Sequence, residues 1–97
     1  MRIISRRALR GFAFKHADCK KQLDIWYDKT KKSTWKTPQD VKISHRNASI
    51  VGNNRVIFNI KGNDYRLVVM VNYRKRIVYI RFIGTHKEYD NIDATVI

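Results

Sequence analysis

Two periodicities divide the chain. In its first third, apolar residues recur every three or four positions, and in its second half they recur every other position. Arg2 to Ile4 reads as a short strand. Ser5 follows as a helix N-cap, because its hydroxyl can accept from a free backbone N–H of the first turn. Ala8, Leu9, Phe12 and Ala13 then fall at helical spacing, with Arg6, Arg7 and Arg10 elsewhere around the helix. A second helix is predicted after Asp18 as its cap, with Cys19, Leu23, Trp26, Tyr27 and Thr30 along one face. That periodicity makes Trp26 and Tyr27 core residues rather than a stacking platform. The stripe is lost between Lys29 and Lys36, and Thr37-Pro38 is expected to stop helix growth. Trp35 is expected to anchor this basic loop to the core.

From Ser49 the pattern is that of strands. Ser49 to Val51 is one, turned at Gly52-Asn53-Asn54, and Arg55 to Ile60 is the next, with Val56, Phe58 and Ile60 on one face. Lys61-Gly62-Asn63 supplies the glycine of a tight hairpin. Asp64 to Tyr73 alternates over its whole length, Arg74-Lys75-Arg76 turns the chain, and Ile77 to Ile83 forms the last strand. Connections this short imply an antiparallel meander. The predicted architecture is α+β, one domain over residues 1–97, with two N-terminal helices on one face of a small antiparallel sheet. The other face is left free for function.

Charge changes this picture. Lys and Arg outnumber Asp and Glu by 21 to 8, giving a net charge of +13 in a 97-residue chain. Such a field attracts polyanions at long range, so RNA, DNA or the ribosome head the expected partners. Lys20, Lys21, Lys31, Lys32, Arg74 and Arg76 are the candidate contacts for RNA or the ribosome. The cluster Lys29, Lys31, Lys32 and Lys36 reads equally well as a phosphate-contacting patch or a solvated helix end. The lone Cys19 rules out an internal disulfide framework and fits a reducing compartment. No stretch approaches the roughly 20 apolar residues of a membrane span, so a cytoplasmic protein without membrane association is expected.

The chemistry concentrates near the C-terminal end. Arg66 and Arg81 interrupt apolar strands, where a guanidinium is costly in a core and must face the open side or an acid. On consecutive strands, the two are candidates to converge on one phosphate with bidentate bonds. Directly after the last strand, His86, Lys87 and Tyr89 follow within four residues. Imidazole titrates near neutrality and serves as base or acid, a phenol is a weaker base, and an ammonium neutralises a phosphate oxygen. Glu88 and Asp90 are read as orienting or solubilising groups, while His16 and His45 are read as surface or core residues. Neither zinc-ligand spacing nor clustered carboxylates for magnesium occur, and no nucleophile elbow is present. An enzyme built from these residues would work through side chains alone, with no cofactor or metal. A non-catalytic basic module that binds RNA or the ribosome remains the alternative, and a small DNA-binding protein is a weaker one.

Several runs of the chain resemble one family. Arg55-Val56-Ile57-Phe58-Asn59-Ile60-Lys61-Gly62-Asn63-Asp64-Tyr65-Arg66-Leu67-Val68 is similar to the centre of HigB-type toxins. So are Tyr79-Ile80-Arg81-Phe82-Ile83-Gly84-Thr85-His86-Lys87-Glu88-Tyr89-Asp90, Trp35-Lys36-Thr37-Pro38-Gln39-Asp40-Val41 and the opening Met1-Arg2-Ile3-Ile4-Ser5. The resemblance implies a RelE-like fold and a type II toxin that cleaves mRNA, typically during translation on the ribosome. It also implies a HigA-type antitoxin with a helix-turn-helix domain, and operator DNA reached only through the toxin–antitoxin complex. On this expectation Arg66 and Arg81 stabilise the phosphorane-like transition state, His86 or Tyr89 moves the proton, and Lys87 adds electrostatic support.

Overall fold

Helical and strand periodicities both yield the elements they predict. The computed structural model describes all 97 residues. After strand β1 (Arg2–Ile4), helix α1 (Arg6–Lys15) presents Leu9 to the core with Phe12 and Ala13 beside it, while Ala8 is exposed. Ser5 occupies the N-cap position, but its hydroxyl makes no capping bond. A single 3-10 turn over Ala17–Cys19 leads into helix α2 (Lys20–Lys32). Asp18 therefore does not cap α2. Its carboxylate instead takes the Lys61 ammonium at 2.7 Å and the Tyr65 hydroxyl at 2.8 Å, a stronger pairing than a bond to a backbone amide. Leu23, Trp26 and Thr30 form the buried stripe of α2, as their spacing predicts.

Thr37-Pro38 starts a helix instead of ending one. Thr37 accepts from the Asp40 amide and Asp40 accepts from the Thr37 amide, a reciprocal capping box that opens α3 (Pro38–Ser44). Proline at the first helical position costs nothing, because its missing N–H would have had no partner there. Trp35 is buried and its indole donates to Ser44 Oγ at 3.2 Å, so the basic loop is anchored as expected.

Strands β2 (Ser49–Val51), β3 (Arg55–Ile60), β4 (Tyr65–Asn72) and β5 (Ile77–Thr85) form the antiparallel meander. The β3–β4 turn needs left-handed backbone at Lys61 (φ 52°) and Gly62 (φ 63°), which explains the glycine. β1 departs from the expected purely antiparallel sheet: it pairs with β5 in parallel, giving the mixed order β1-β5-β4-β3-β2. The crossover through α1, α2 and α3 brings the chain back over one sheet face before the meander begins, leaving β1 aligned with the last strand.

Tyr65, Leu67, Val69 and Val71 of β4 face the helices and form one core with Trp26, Trp35 and Phe58. The opposite face is not fully open. Ile92, Ala94 and Ile97 fold across it onto Ile57, Val68 and Phe82, and Arg55 ties this segment down by donating to the Ile97 carbonyl at 2.7 Å. At the end of that face near the β3–β4 turn, helix α4 (His86–Tyr89) begins directly after β5 and borders an open region.

Candidate active site

At the β3–β4 end of the sheet lies an open cleft of about 590 Å³. Its walls are the turn residues Asn63 and Asp64, Tyr65 and Arg66 from β4, and Thr85, His86 and Lys87 from the end of β5 and the start of α4. Register explains the meeting: Tyr65 is opposite Thr85 and Arg66 is opposite Gly84, so the two strands deliver their ends to one place. The Asp64 carbonyl also accepts from the His86 amide at 3.1 Å, fastening the turn to α4.

His86 and Lys87 are held by a local device. Thr85 Oγ1 accepts from the Glu88 amide at 3.1 Å and the Glu88 carboxylate accepts from the Thr85 amide at 2.9 Å, a second capping box. Those hydrogen bonds hold the Glu88 carboxyl below the usual carboxylate range, which commits Glu88 to structure. His86 Nδ1 lies 3.6 Å from an Asp90 oxygen, beyond hydrogen-bond distance, and both side chains are exposed. Arg66 is fixed by donation from Nη1 to the Asn63 carbonyl at 3.1 Å, and its guanidinium carbon lies 5.9 Å from the centre of the Tyr89 ring. Tyr89 is half-buried against Phe82.

Gly84 makes this packing possible. A Cβ there would come within 2.5 Å of the Phe82 ring, so any side chain would push Phe82 or the strand aside. Tyr65 lines the cleft but is not a base. Its hydrogen bond to the Asp18 carboxylate, aided by burial, pushes the phenol up to about 12.

Of the residues expected at the site, Arg66, His86 and Lys87 line the cleft and Tyr89 touches it through Arg66. Arg81 is elsewhere on β5. Val68 pairs with Phe82 and Val69 with Ile80, so Arg81 is the extra residue of a bulge. Its exposed guanidinium lies 6.0 Å from the Tyr79 ring, and three residues of strand, about 10 Å, separate it from Gly84. Arg66 and Arg81 are thus not walls of one cleft. Asn63, Asp64, Tyr65 and Thr85 went unnoticed in the sequence, although Thr-x-x-Glu is a readable capping signature. No three of His, Cys, Asp or Glu come together closely enough to hold a metal ion.

The candidate RNA contacts are distributed rather than clustered. Lys20 pairs with Asp24 at 2.9 Å on the α1–α2 side, Lys21, Lys31 and Lys32 are exposed on α2, and Arg74 and Arg76 project from the β4–β5 turn. Only two of the 21 Lys and Arg side chains are in ion pairs with acids. His16 stacks on Phe12 and His45 packs against Trp35 and Phe58, so both belong to aromatic packing. No helix is long and apolar enough to cross a membrane.

The model of the HigB toxin family, the RelE-like toxic component of a toxin-antitoxin system, matches residues 19–92, a span that includes the cleft's walls. The chain belongs to the HigB toxin family. It is 33% identical to the mRNA interferase toxin HigB of Escherichia coli K12 over 97% of this chain and 92% of the relative. The mRNA interferases HigB of Escherichia coli O157:H7 and Shigella flexneri show the same identity and coverage. Membership of a HigB toxin family implies a cognate antitoxin, and its RelE-like description agrees with the helices on a small sheet seen here.

Proposed function

We propose that this HigB-family toxin is an endoribonuclease that cuts mRNA, acts on mRNA engaged by the ribosome, and so arrests translation and growth. The observation that carries the reading is the cleft in which Arg66, His86 and Lys87 meet beside Tyr89. The relatives named mRNA interferases support the same substrate.

In the proposed reaction the 2′-hydroxyl attacks the adjacent phosphorus while the bond from phosphorus to the 5′-oxygen breaks. His86 takes the 2′-hydroxyl proton. Tyr89 supplies the proton to the departing 5′-oxygen. Arg66 and Lys87 neutralise the charge that grows on the non-bridging oxygens, the role for which a fixed guanidinium is best suited. Arg81, along the strand, holds a neighbouring phosphate of the same RNA. The products are a 2′,3′-cyclic phosphate and a 5′-hydroxyl.

The unpaired cations of α2 and the β4–β5 turn serve the ribosomal RNA surface. An mRNA substrate places the action in the cytoplasm. The partner is proposed to be a HigA-type antitoxin with a helix-turn-helix domain, through which the complex reaches operator DNA. The test is the chemistry of the cut ends: fragments from a translation extract should carry 2′,3′-cyclic phosphate, and a 2′-O-methyl group at the cut position should abolish cleavage. Fragments ending in 3′-hydroxyl and 5′-phosphate would overturn the mechanism.

A further inference from the structure

A second concavity lies on the other side of the β3–β4 turn from the cleft. It has a volume of about 330 Å³ and is enclosed by one side of α2, the Ser44–Ala48 loop and the end of β3. That size falls at the lower end of the roughly 300–1,000 Å³ typical of small-ligand sites. Its rim carries Lys29, Arg46 and Lys61, of which Lys61 is ion-paired with Asp18, and none of its lining residues is acidic. The α1–α2 groove, by contrast, has Asp24 and Asp28 in its lining, and the cleft has Asp64.

The cations are prearranged. Lys29 donates to the Ser44 carbonyl and Lys61 is held by Asp18, while the Arg46 guanidinium has no partner in the protein. Beneath them the wall is apolar, formed by the exposed side chain of Ile25 and by the edges of Trp26, Phe58 and Ile60, each no more than 4% exposed. The polar groups the cavity presents to solvent include the amides of the exposed Asn47 and Asn59, whereas the unpartnered ring nitrogens of Trp26 and His45 are buried. A cationic rim over an apolar, amide-bearing wall matches a nucleotide: phosphate on the rim, base against the wall. A purely electrostatic surface needs no such wall.

The cavity lies close to the cleft proposed to cut RNA. Lys61 lines this cavity and Asn63 lines the cleft, and two residues of chain span at most about 7 Å. We propose that this cavity is a second nucleotide subsite, which binds a nucleotide of the same single RNA strand flanking the one cleaved. The inference rests on the endoribonuclease reading for the identity of the strand, but its test does not require cleavage.

The test is a titration of the full chain with a 2′-O-methyl RNA tetranucleotide, which cannot be cut, followed by backbone amide NMR shifts. The expected result is saturable shifts at Asn47 and Asn59 together with those at Asn63 and His86. Arg46→Glu, at an exposed loop position, should weaken binding about tenfold or more and reduce the salt dependence by about one counterion. It should erase the shifts at Asn47 and Asn59 while leaving those at Asn63. Shifts confined to the cleft, or unchanged affinity in Arg46→Glu, would overturn the subsite. So would shifts at Asn47 and Asn59 produced by a poly-glutamate peptide and not by the RNA, which would give the cavity to an acidic protein segment. Wild-type protein that shows the shifts yet never cuts mRNA would sink the enzyme reading and leave the subsite standing.

Discussion

His45 and His86 are the same residue put to opposite uses. His45 is packed between Trp35 and Phe58, its Nε2 buried without a partner, and burial beside Lys29 lowers its pKa to about 4. His86 stands exposed on the cleft wall next to Asp90, set in place by a capping box at the end of β5. The first contributes a neutral ring to the core, and the second stays open to solvent on the cleft wall. The general lesson is that the helix-covered side of this sheet converts polar residues into packing, while the β3–β4 end leaves them available.

Breaking the cleft should cost activity without stability. His86→Ala should lower the cleavage rate by about 10²–10⁴-fold, the range for loss of a general acid or base, with an unchanged urea midpoint. Rates on a reporter mRNA in a translation extract and a denaturation curve check this pair. An equal loss in both would make His86 a structural residue. The converse comes from the core: Trp35→Ala should cost about 3–5 kcal/mol, enough to threaten so small a domain.

The two histidines also differ in their response to pH. In the unfolded chain His45 binds a proton below 6.5, but in the folded protein only below about 4. The unfolded state thus gains protons first as pH falls, so the stability contributed by neutral His45 is present above pH 6.5 and is lost between 6.5 and 4. With a discount for partial solvent access, the loss should be roughly 2 kcal/mol. Urea unfolding at pH 7 and 4.5 measures it, and His45→Phe should flatten the change over that window. A change that persists unaltered in His45→Phe would assign it to other groups. The capping box is the finer lever: Thr85→Ala should cost about 1 kcal/mol and loosen His86 and Lys87 together, lowering cleavage at 37 °C more than RNA binding. Smallest of all, Thr30→Val should be neutral or slightly stabilising by thermal melt, because the buried Thr30 hydroxyl has no partner to lose.

Periodicity made much of this legible. The α2 stripe, the alternation of β4 and the glycine of the β3–β4 turn each follow from one local rule, and each appears where that rule puts it. What escaped the sequence was decided by partners far along the chain. Asp18 looks like a helix cap until Tyr65, 47 residues away, claims its carboxylate. β1 pairs in parallel with β5 across most of the chain, which no local pattern encodes. Ile92, Ala94 and Ile97 lie beyond the last predicted strand, yet they pack onto a face expected to be open. At the site, the chemical groups were visible from their types, but the bulge that sets Arg81 apart from Arg66 was not, since a single extra residue leaves the apolar pattern of β5 almost intact.

The cleft of Arg66, His86 and Lys87 is proposed to cut mRNA during translation. The most direct test is primer-extension mapping of a reporter mRNA in a translation extract, with wild-type protein and with Arg66→Ala shown by circular dichroism to be folded. Cuts within the translated frame are expected, falling by about 10²–10³-fold in the variant. Cuts of undiminished strength in folded Arg66→Ala, or wild-type protein that binds ribosomes and cuts nothing, would contradict that proposal.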